Sequence, residues 1–270
     1  MIFVHDKGRM ANNMLQYGHV YAWGREHGRQ TMSMRFAYKY KYFHICHTRH
    51  HNFLTYVFAK YAAKLHLLPF ITFDEADLDI AHREQKERQM LRHHSLMVSG
   101  WEARWYDLFL KYKNEIIELF TFDDNIEQHV STILHKGLRL GVHIRRGDYA
   151  NFYGGRFLYT DEQYLSVIRS FMKLHPSDNI VVYICSNDPI LNHNYYRSCL
   201  EGCKVVFPDG NPGEDICLLS HCHYLMGAPS TFTLVASMYN DLPLYWIEDP
   251  TLPVNEKSFK RFDYLFQHIY

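Results

Sequence analysis

The sequence predicts an α/β protein built on parallel sheets, and three observations carry that expectation. Short, continuously apolar runs, Leu138–Ile144 and Asn179–Cys185 foremost, read as strands buried on both faces. Helical runs alternate with them, as crossover connections require. Polar side chains gather where the strands stop, most densely in His143-Ile144-Arg145-Arg146-Gly147-Asp148-Tyr149.

The elements follow in order. Met1–Asp6 is an apolar strand, followed by a glycine-containing loop and a helical run from about Asn12 to His27. Thr31–Phe36 reads as a second strand, Asn52–Leu67 as a helix, Asp74–Met97 as exposed helix or loop, and Trp101–Phe120 as helix. After Lys136 the pattern sharpens. Leu138–Ile144 is a strand, and Thr160–Leu174 a helix whose Thr160 and Gln163 spell a capping box. Asn179–Cys185 and Lys204–Phe207 are strands, Asp215–Cys222 a helix, Tyr224–Met226 a strand, Thr231–Tyr239 a helix and Leu244–Ile247 a strand. The second half is therefore Rossmann-like, and the first is α/β with a less regular pattern. Domains are expected at 1–137 and 138–249, with 250–270 a candidate to pack back on the first.

Composition narrows the function. The chain has 270 residues, enough for one large domain or two modest ones. Its 29 basic residues balance 29 acidic ones, which argues against a general nucleic-acid binder but leaves room for a local basic pocket. The 21 Tyr and 18 Phe fit a large aromatic core first, and a ring-stacking cleft second. Six scattered cysteines without a CxxC pair do not form a secreted disulfide framework, so reduced thiols and a cytoplasmic location are expected. No charged leader precedes a long apolar run, and no segment reaches the length of a membrane span.

Three segments are expected at the carboxyl ends of strands, where open α/β sheets bind their ligands. They are His143–Asp148, then Ser186-Asn187-Asp188, then Ala228-Pro229-Ser230-Thr231-Phe232 at a helix start suited to phosphate. Paired guanidinium groups at the first can hold a diphosphate and stabilise it as it leaves a sugar. Each segment also has a plainer reading. Arg145 and Arg146 can be ion pairs, Asp148 can close its own turn, Ser186–Asp188 can begin a helix, and Ser230 or Thr231 can be an N-cap. Neither G-x-G-x-x-G nor G-x-x-x-x-G-K-[ST] occurs, which removes support for dinucleotide and P-loop enzymes. Asp77-Leu78-Asp79 spells a D-x-D in an acidic stretch and reads better as a solvated face than as a metal site. Cys217 with His221-Cys222-His223 lacks the spacing of a closed zinc site, and His44, His47, His50 and His51 read as surface residues or acceptor contacts rather than metal ligands.

His143–Tyr149 (HIRRGDY) resembles the signature of the α-1,2-fucosyltransferases of glycosyltransferase family eleven. Gly8, Asn12, Met14, Gln16 and Tyr17 match that family's N-terminal G-G-L-G-N-Q-M-F-Q-Y, whereas Arg9, Ala11 and Asn13 depart from it. Asp215–Phe232 is similar to its D-L-x-L-M-S-x-C-x-H-x-I-x-A-N-S-T-F. The tryptophans usual after the phenylalanine are replaced by Thr233-Leu234-Val235. The resemblance implies a GT-B fold, with two Rossmann-like domains facing across a cleft. Residues 1–137 would be the acceptor side and 138–249 the donor side. It further implies GDP-fucose as donor, inversion at the anomeric carbon, no metal or other cofactor, and transfer α-1,2 to a galactose hydroxyl. Arg145 and Asp148 become the expected catalytic residues. His143, Arg145, Arg146, Ser186, Asn187, Asp188, Ser230, Thr231 and Phe232 would contact the donor, with Asp188 reading guanine. Gly8 and Asn12 would face the reaction centre. Asp6 and Asp148 are alternative general bases. A bacterial enzyme acting on a polysaccharide or lipid-linked acceptor is expected, with peripheral membrane contact as one route to it. A transferase for another nucleotide sugar, and a binding protein without turnover, are the alternatives.

Overall fold

The computed structural model describes residues 1–269. They form two compact units, Met1–Asp123 and a second that starts at Asp124. The first contains β1 (Ile2–His5), α1 (Met10–Glu26), β2 (Thr31–Ser33), α2 (Phe53–Lys64), β3 (Phe70–Thr72), α3 (Ile80–Arg92), β4 (Leu96–Ser99), α4 (Tyr106–Lys111) and α5 (Lys113–Leu119). Its four strands make one parallel sheet in the order β2-β1-β4-β3. β3 and β4 fall in or beside stretches that read as helix or loop, because strands of three and four residues carry too little periodicity to detect. α1 shows only a weak stripe in sequence because it is buried almost all round, from Met10 to Gly24. The helix expected over Trp101–Phe120 is two short ones, α4 and α5, separated at Tyr112.

The second unit contains α6 (Asp124–Ile133), β5 (Leu138–Ile144), α7 (Asp161–Leu174), β6 (Ile180–Ser186), α8 (His193–Cys199), β7 (Lys204–Val206), α9 (Pro212–Ser220), β8 (Tyr224–Gly227), α10 (Thr231–Tyr239), β9 (Leu244–Trp246) and α11 (Phe262–Phe266). All five strands are parallel, in the order β7-β6-β5-β8-β9. This is the doubly wound Rossmann order, and its direction reverses between β5 and β8. Thr160 caps α7 through the capping box read from sequence, accepting from the Gln163 N–H, while the Gln163 side chain accepts from the Thr160 N–H. The sheet's central strands are apolar because helices cover both faces; Leu140, Val142, Ile144, Val182 and Ile184 lie in one core with Ile168 and Phe171 of α7. The aromatic surplus is largely core: Trp23, Tyr17, Tyr164, Tyr183, Tyr196 and Phe171 are among the largest fully buried side chains.

Two expectations about boundaries change. The break between units falls at Asp123–Asp124, ahead of residue 137, because α6 packs against α9 of the second unit. Residues 250–269 belong to the second unit as well. Lys260 bridges to Leu244 of β9, and α11 packs on α10. All six cysteines are free.

The contact between β5 and β8 is close enough to require glycine. Gly227 pairs with His143 in register, and a Cβ at Gly227 would stand 2.6 Å from the His143 carbonyl oxygen. Gly227→Ala should therefore lower the unfolding free energy by about 1–3 kcal/mol, the usual penalty of overpacking, read as a lower urea midpoint at unchanged m-value.

Candidate active site

The second unit's parallel register brings the three expected segments to one edge. Ile144 stands opposite Ser186 and His143 opposite Gly227, so the chain leaves β5, β6 and β8 side by side at their carboxyl ends. This edge contains the reversal point between β5 and β8, where a Rossmann-type sheet opens a crevice.

The two arginines after β5 have different partners. Arg146 donates from Nη1 to Asp188 Oδ2 at 3.0 Å and from Nη2 to Asp161 Oδ1 at the start of α7. Tyr196 donates to the same Asp161 oxygen at 2.7 Å. Arg146 is thus the structural ion pair that sequence reading held as its alternative. Arg145 makes a bidentate fork with Asp148, Nε to Oδ1 at 3.1 Å and Nη2 to Oδ2 at 2.8 Å, and its guanidinium lies over the Tyr149 ring. The fork joins residues of one short turn, and Asp148 is 44% exposed, so water competes for it. Gly147, between the arginines and Asp148, sits at φ +69°, a conformation glycine adopts freely.

The segment after β6 braces this turn. Asn187 accepts from the Arg146 N–H at 2.8 Å and donates to the Arg146 carbonyl at 3.0 Å. Ser186 donates to the Ile144 carbonyl and accepts from the Asp188 N–H. Asp188 accepts from the Ile190 N–H as well as from Arg146. The segment does not begin a helix, since α8 starts later and is capped by Asn192. After β8, Ser230 caps α10 by accepting from the Thr233 N–H at 3.3 Å, and Tyr149 donates to the Pro229 carbonyl. Thr231 and Phe232 form the first turn of α10, and Phe232 stacks on His143 with ring centroids 4.6 Å apart. His143 is buried, and burial beside Arg145 lowers its pKa to about 3, so the ring is neutral at ordinary pH.

One acid at this edge was quoted in sequence without a role. Asp215 lies in the first turn of α9, which starts beyond the end of β7, and the Cys185 thiol of β6 donates to it. Burial raises its pKa to about 7. The signal that could have singled it out was its place just inside a helix start after a strand.

The first unit has its own cluster at the end of β1. Asp6 is buried and accepts from the Ser33 hydroxyl and, at 3.3 Å, from the Arg35 N–H; its Oδ1 has no partner. Burial raises its pKa to about 7. Asn13, read in sequence only as a departure from the family's N-terminal pattern, is buried with both amide atoms unpartnered among the described residues. Gln16 donates to the Lys7 carbonyl at 2.8 Å and accepts from its N–H, fixing the loop. Gly8 in that loop has φ +87°, and a Cβ there would stand 2.8 Å from Asn12 Nδ2.

The acidic pair Asp77 and Asp79 diverges. Asp77 is buried, paired with Lys86 and accepting from the Asp74 N–H in a capping box. Asp79 is the exposed N-cap of α3. Among the described residues, the group able to hold a metal ion is Glu127, Cys217 and His221, whose ligand atoms lie within 4.8 Å of one another. It sits where α9 ends and β8 is about to begin, at the amino edge of the sheet opposite the arginines. His223 is not part of it; its Nδ1 accepts from the Arg139 N–H. Among the described residues no helix is long and apolar enough to cross a membrane.

Comparison with known proteins places this arrangement. Galactoside alpha-(1,2)-fucosyltransferase 1 of Rattus norvegicus is 27% identical over 183 residues, 60% of this chain and 46% of that protein. The chain thus spans about half the length of this relative. Galactoside alpha-(1,2)-fucosyltransferase 2 of Gorilla gorilla gorilla is 21% identical over 260 residues, covering 91% of this chain and 71% of that one. Among solved structures, a mutant of Arabidopsis thaliana FUT1 in complex with GDP superposes with a TM-score of 0.65 at 14% identity, over 96% of this chain and 73% of its own. The fold is therefore the GT-B type expected, with one Rossmann-like sheet in each unit. Residues 1–264 match the model of Glycosyl transferase family 11, and the chain belongs to that family.

Proposed function

We propose that the protein transfers fucose from GDP-fucose to a hydroxyl of an acceptor glycan, α-1,2 to galactose, with inversion and without a metal ion. Family membership, the names of the relatives and the Arg145 fork at the reversal point support this reading. Arg145 is the observation that carries it. Its carboxylate partner is local and solvent-exposed, so a diphosphate can take over the guanidinium at small cost. The acceptor oxygen attacks the anomeric carbon as the bond to the β-phosphate oxygen breaks. GDP leaves with the electron pair, and Arg145 and the first turn of α10 stabilise its charge. Divergence of Asp77 and Asp79 supports a route that does not use a D-x-D metal.

The remaining residues divide by what they already hold. Asn187, Ser186, Asp188 and Arg146 shape the turn that presents Arg145, while His143 and Phe232 form an uncharged stacked wall. Asp215 takes the role of guanine acceptor in place of Asp188, whose oxygens are already accepting. A carboxylate can receive both N1–H and the exocyclic amine of guanine, and the bound base would hold Asp215 ionised. Asp6 is the favoured base, since its pKa of about 7 suits proton transfer near neutrality.

Arg145→Ala should lower kcat about ten- to 150-fold, the worth of a charge-assisted hydrogen bond of roughly 1.5–3 kcal/mol, with a smaller effect on Tm because its ion pair lies within one turn. Arg146→Met should do the reverse, costing about 1–3 kcal/mol of stability by stranding Asp161 and Asp188; wild-type turnover in Arg145→Ala would overturn the mechanism. Asp215→Asn should weaken GDP binding about tenfold or more by calorimetry, and by less for inosine diphosphate, which lacks the exocyclic amine. With Asp6 as base, kcat/KM should rise with pH through about 7 as the carboxyl ionises, and Asp6→Asn should abolish that limb.

A further inference from the structure

We propose that the outward face of α2 docks the protein on an anionic lipid bilayer. α2 is turned inside out for a helix of a water-soluble unit. It buries only Ala59 and Ala62. Its large apolar side chains point away from the core: Leu54 is 80% exposed, Phe58 68%, Tyr61 55% and Leu65 66%. These positions are spaced i, i+4, i+7 and i+11, so they form one narrow stripe along the helix. Leu67 and Phe70, just beyond the helix, are also exposed.

Charge around the stripe is of one sign. The chain as a whole is neutral, yet from His27 to Phe73 it contains no aspartate or glutamate. Lys39, Lys41, Arg49, Lys60 and Lys64 of that stretch are exposed. Lys60 and Lys64 fall on one flank of the stripe by helical geometry. Tyr38 packs on Tyr56 with centroids 4.4 Å apart, which ties the Lys39–Lys41 loop to α2.

The combination selects the partner. Two copies of this face would bring like charges together, which opposes self-association. A nucleic acid would use the lysines but leave a stripe of leucine and phenylalanine in water. A bilayer interface uses both: apolar side chains enter the headgroup–acyl boundary, tyrosine sits at headgroup level, and lysines reach anionic headgroups. At twelve residues α2 is about 18 Å long, enough to lie in the interface and too short to span. The docking stands apart from the transferase reading; its consequence, an acceptor reached at a lipid surface, rests on that reading.

The test is cosedimentation of the full chain with vesicles of phosphatidylcholine alone and of equal parts phosphatidylcholine and phosphatidylglycerol, with GDP binding measured on the same samples. The protein should pellet with the anionic vesicles and be released by high salt. Leu54→Ser with Phe58→Ser, and separately Lys60→Glu with Lys64→Glu, should each weaken partitioning about tenfold or more while leaving Tm unchanged, since these side chains lie outside the core. No binding to anionic vesicles overturns the proposal, as does equal binding to both vesicle types or wild-type partitioning by the Leu54/Phe58 variant. A dimer that dissolves in that variant, without vesicle binding, would assign the face to a second copy instead. Loss of GDP binding with vesicle binding intact would count against the transferase reading alone.

Discussion

The carboxyl edge of the second unit depends on one partly buried ion-pair network. Arg146 joins the end of β5 to Asp188 after β6 and to Asp161 at the start of α7, and Asn187 clamps the Arg146 backbone from both sides. A guanidinium held by two carboxylates cannot swing, and a backbone held by a side-chain amide cannot slide. Gly147 then turns the chain, and Arg145, itself 12% exposed, pairs within the same turn with the more exposed Asp148. One arginine ties three elements together, while its neighbour pairs inside its own turn.

The rest of the edge follows from parallel topology. Every strand of a parallel sheet ends on the same side, so residues far apart in sequence meet without special provision. His143, Asp188, Asp215 and Ser230 share that side because each follows or ends a strand. The cluster of Glu127, Cys217 and His221 occupies the other side for the same reason, since it lies where α9 returns to begin β8. Separating the two ends leaves the amino edge free for packing of α6, a helix that the sequence reading did not identify and enclosed within the first domain at 1–137.

Much of this was legible in sequence, for reasons that differ residue by residue. β5 and β6 are seven residues long and apolar throughout, so they stood out, and α7 announced itself through its capping box. α10 was read to its observed bounds, Thr231–Tyr239, because Ser230 caps it. β3 and β4 were missed because three or four residues cannot display a period, and α8 because seven residues with mixed polarity resemble a loop. Asp188 was legible as a strand-end acid from its position after β6, whereas its contacts with Arg146 and the Ile190 N–H are ones that no spacing rule reveals.

The sequence by itself determined the class of fold and the sheet edge at which the three polar segments gather, because strand length, hydrophobic continuity and capping are local properties of the chain. Tertiary structure decided which of two adjacent, chemically identical arginines braces neighbouring elements and which pairs only within its own turn. It also decided that Asp77 is a buried cap while Asp79 faces water, and that α2 turns its alanines inward and its leucines outward. Each of these is settled by what stands opposite in space, and a residue's neighbours in sequence do not encode which residues of a distant strand or helix will stand there.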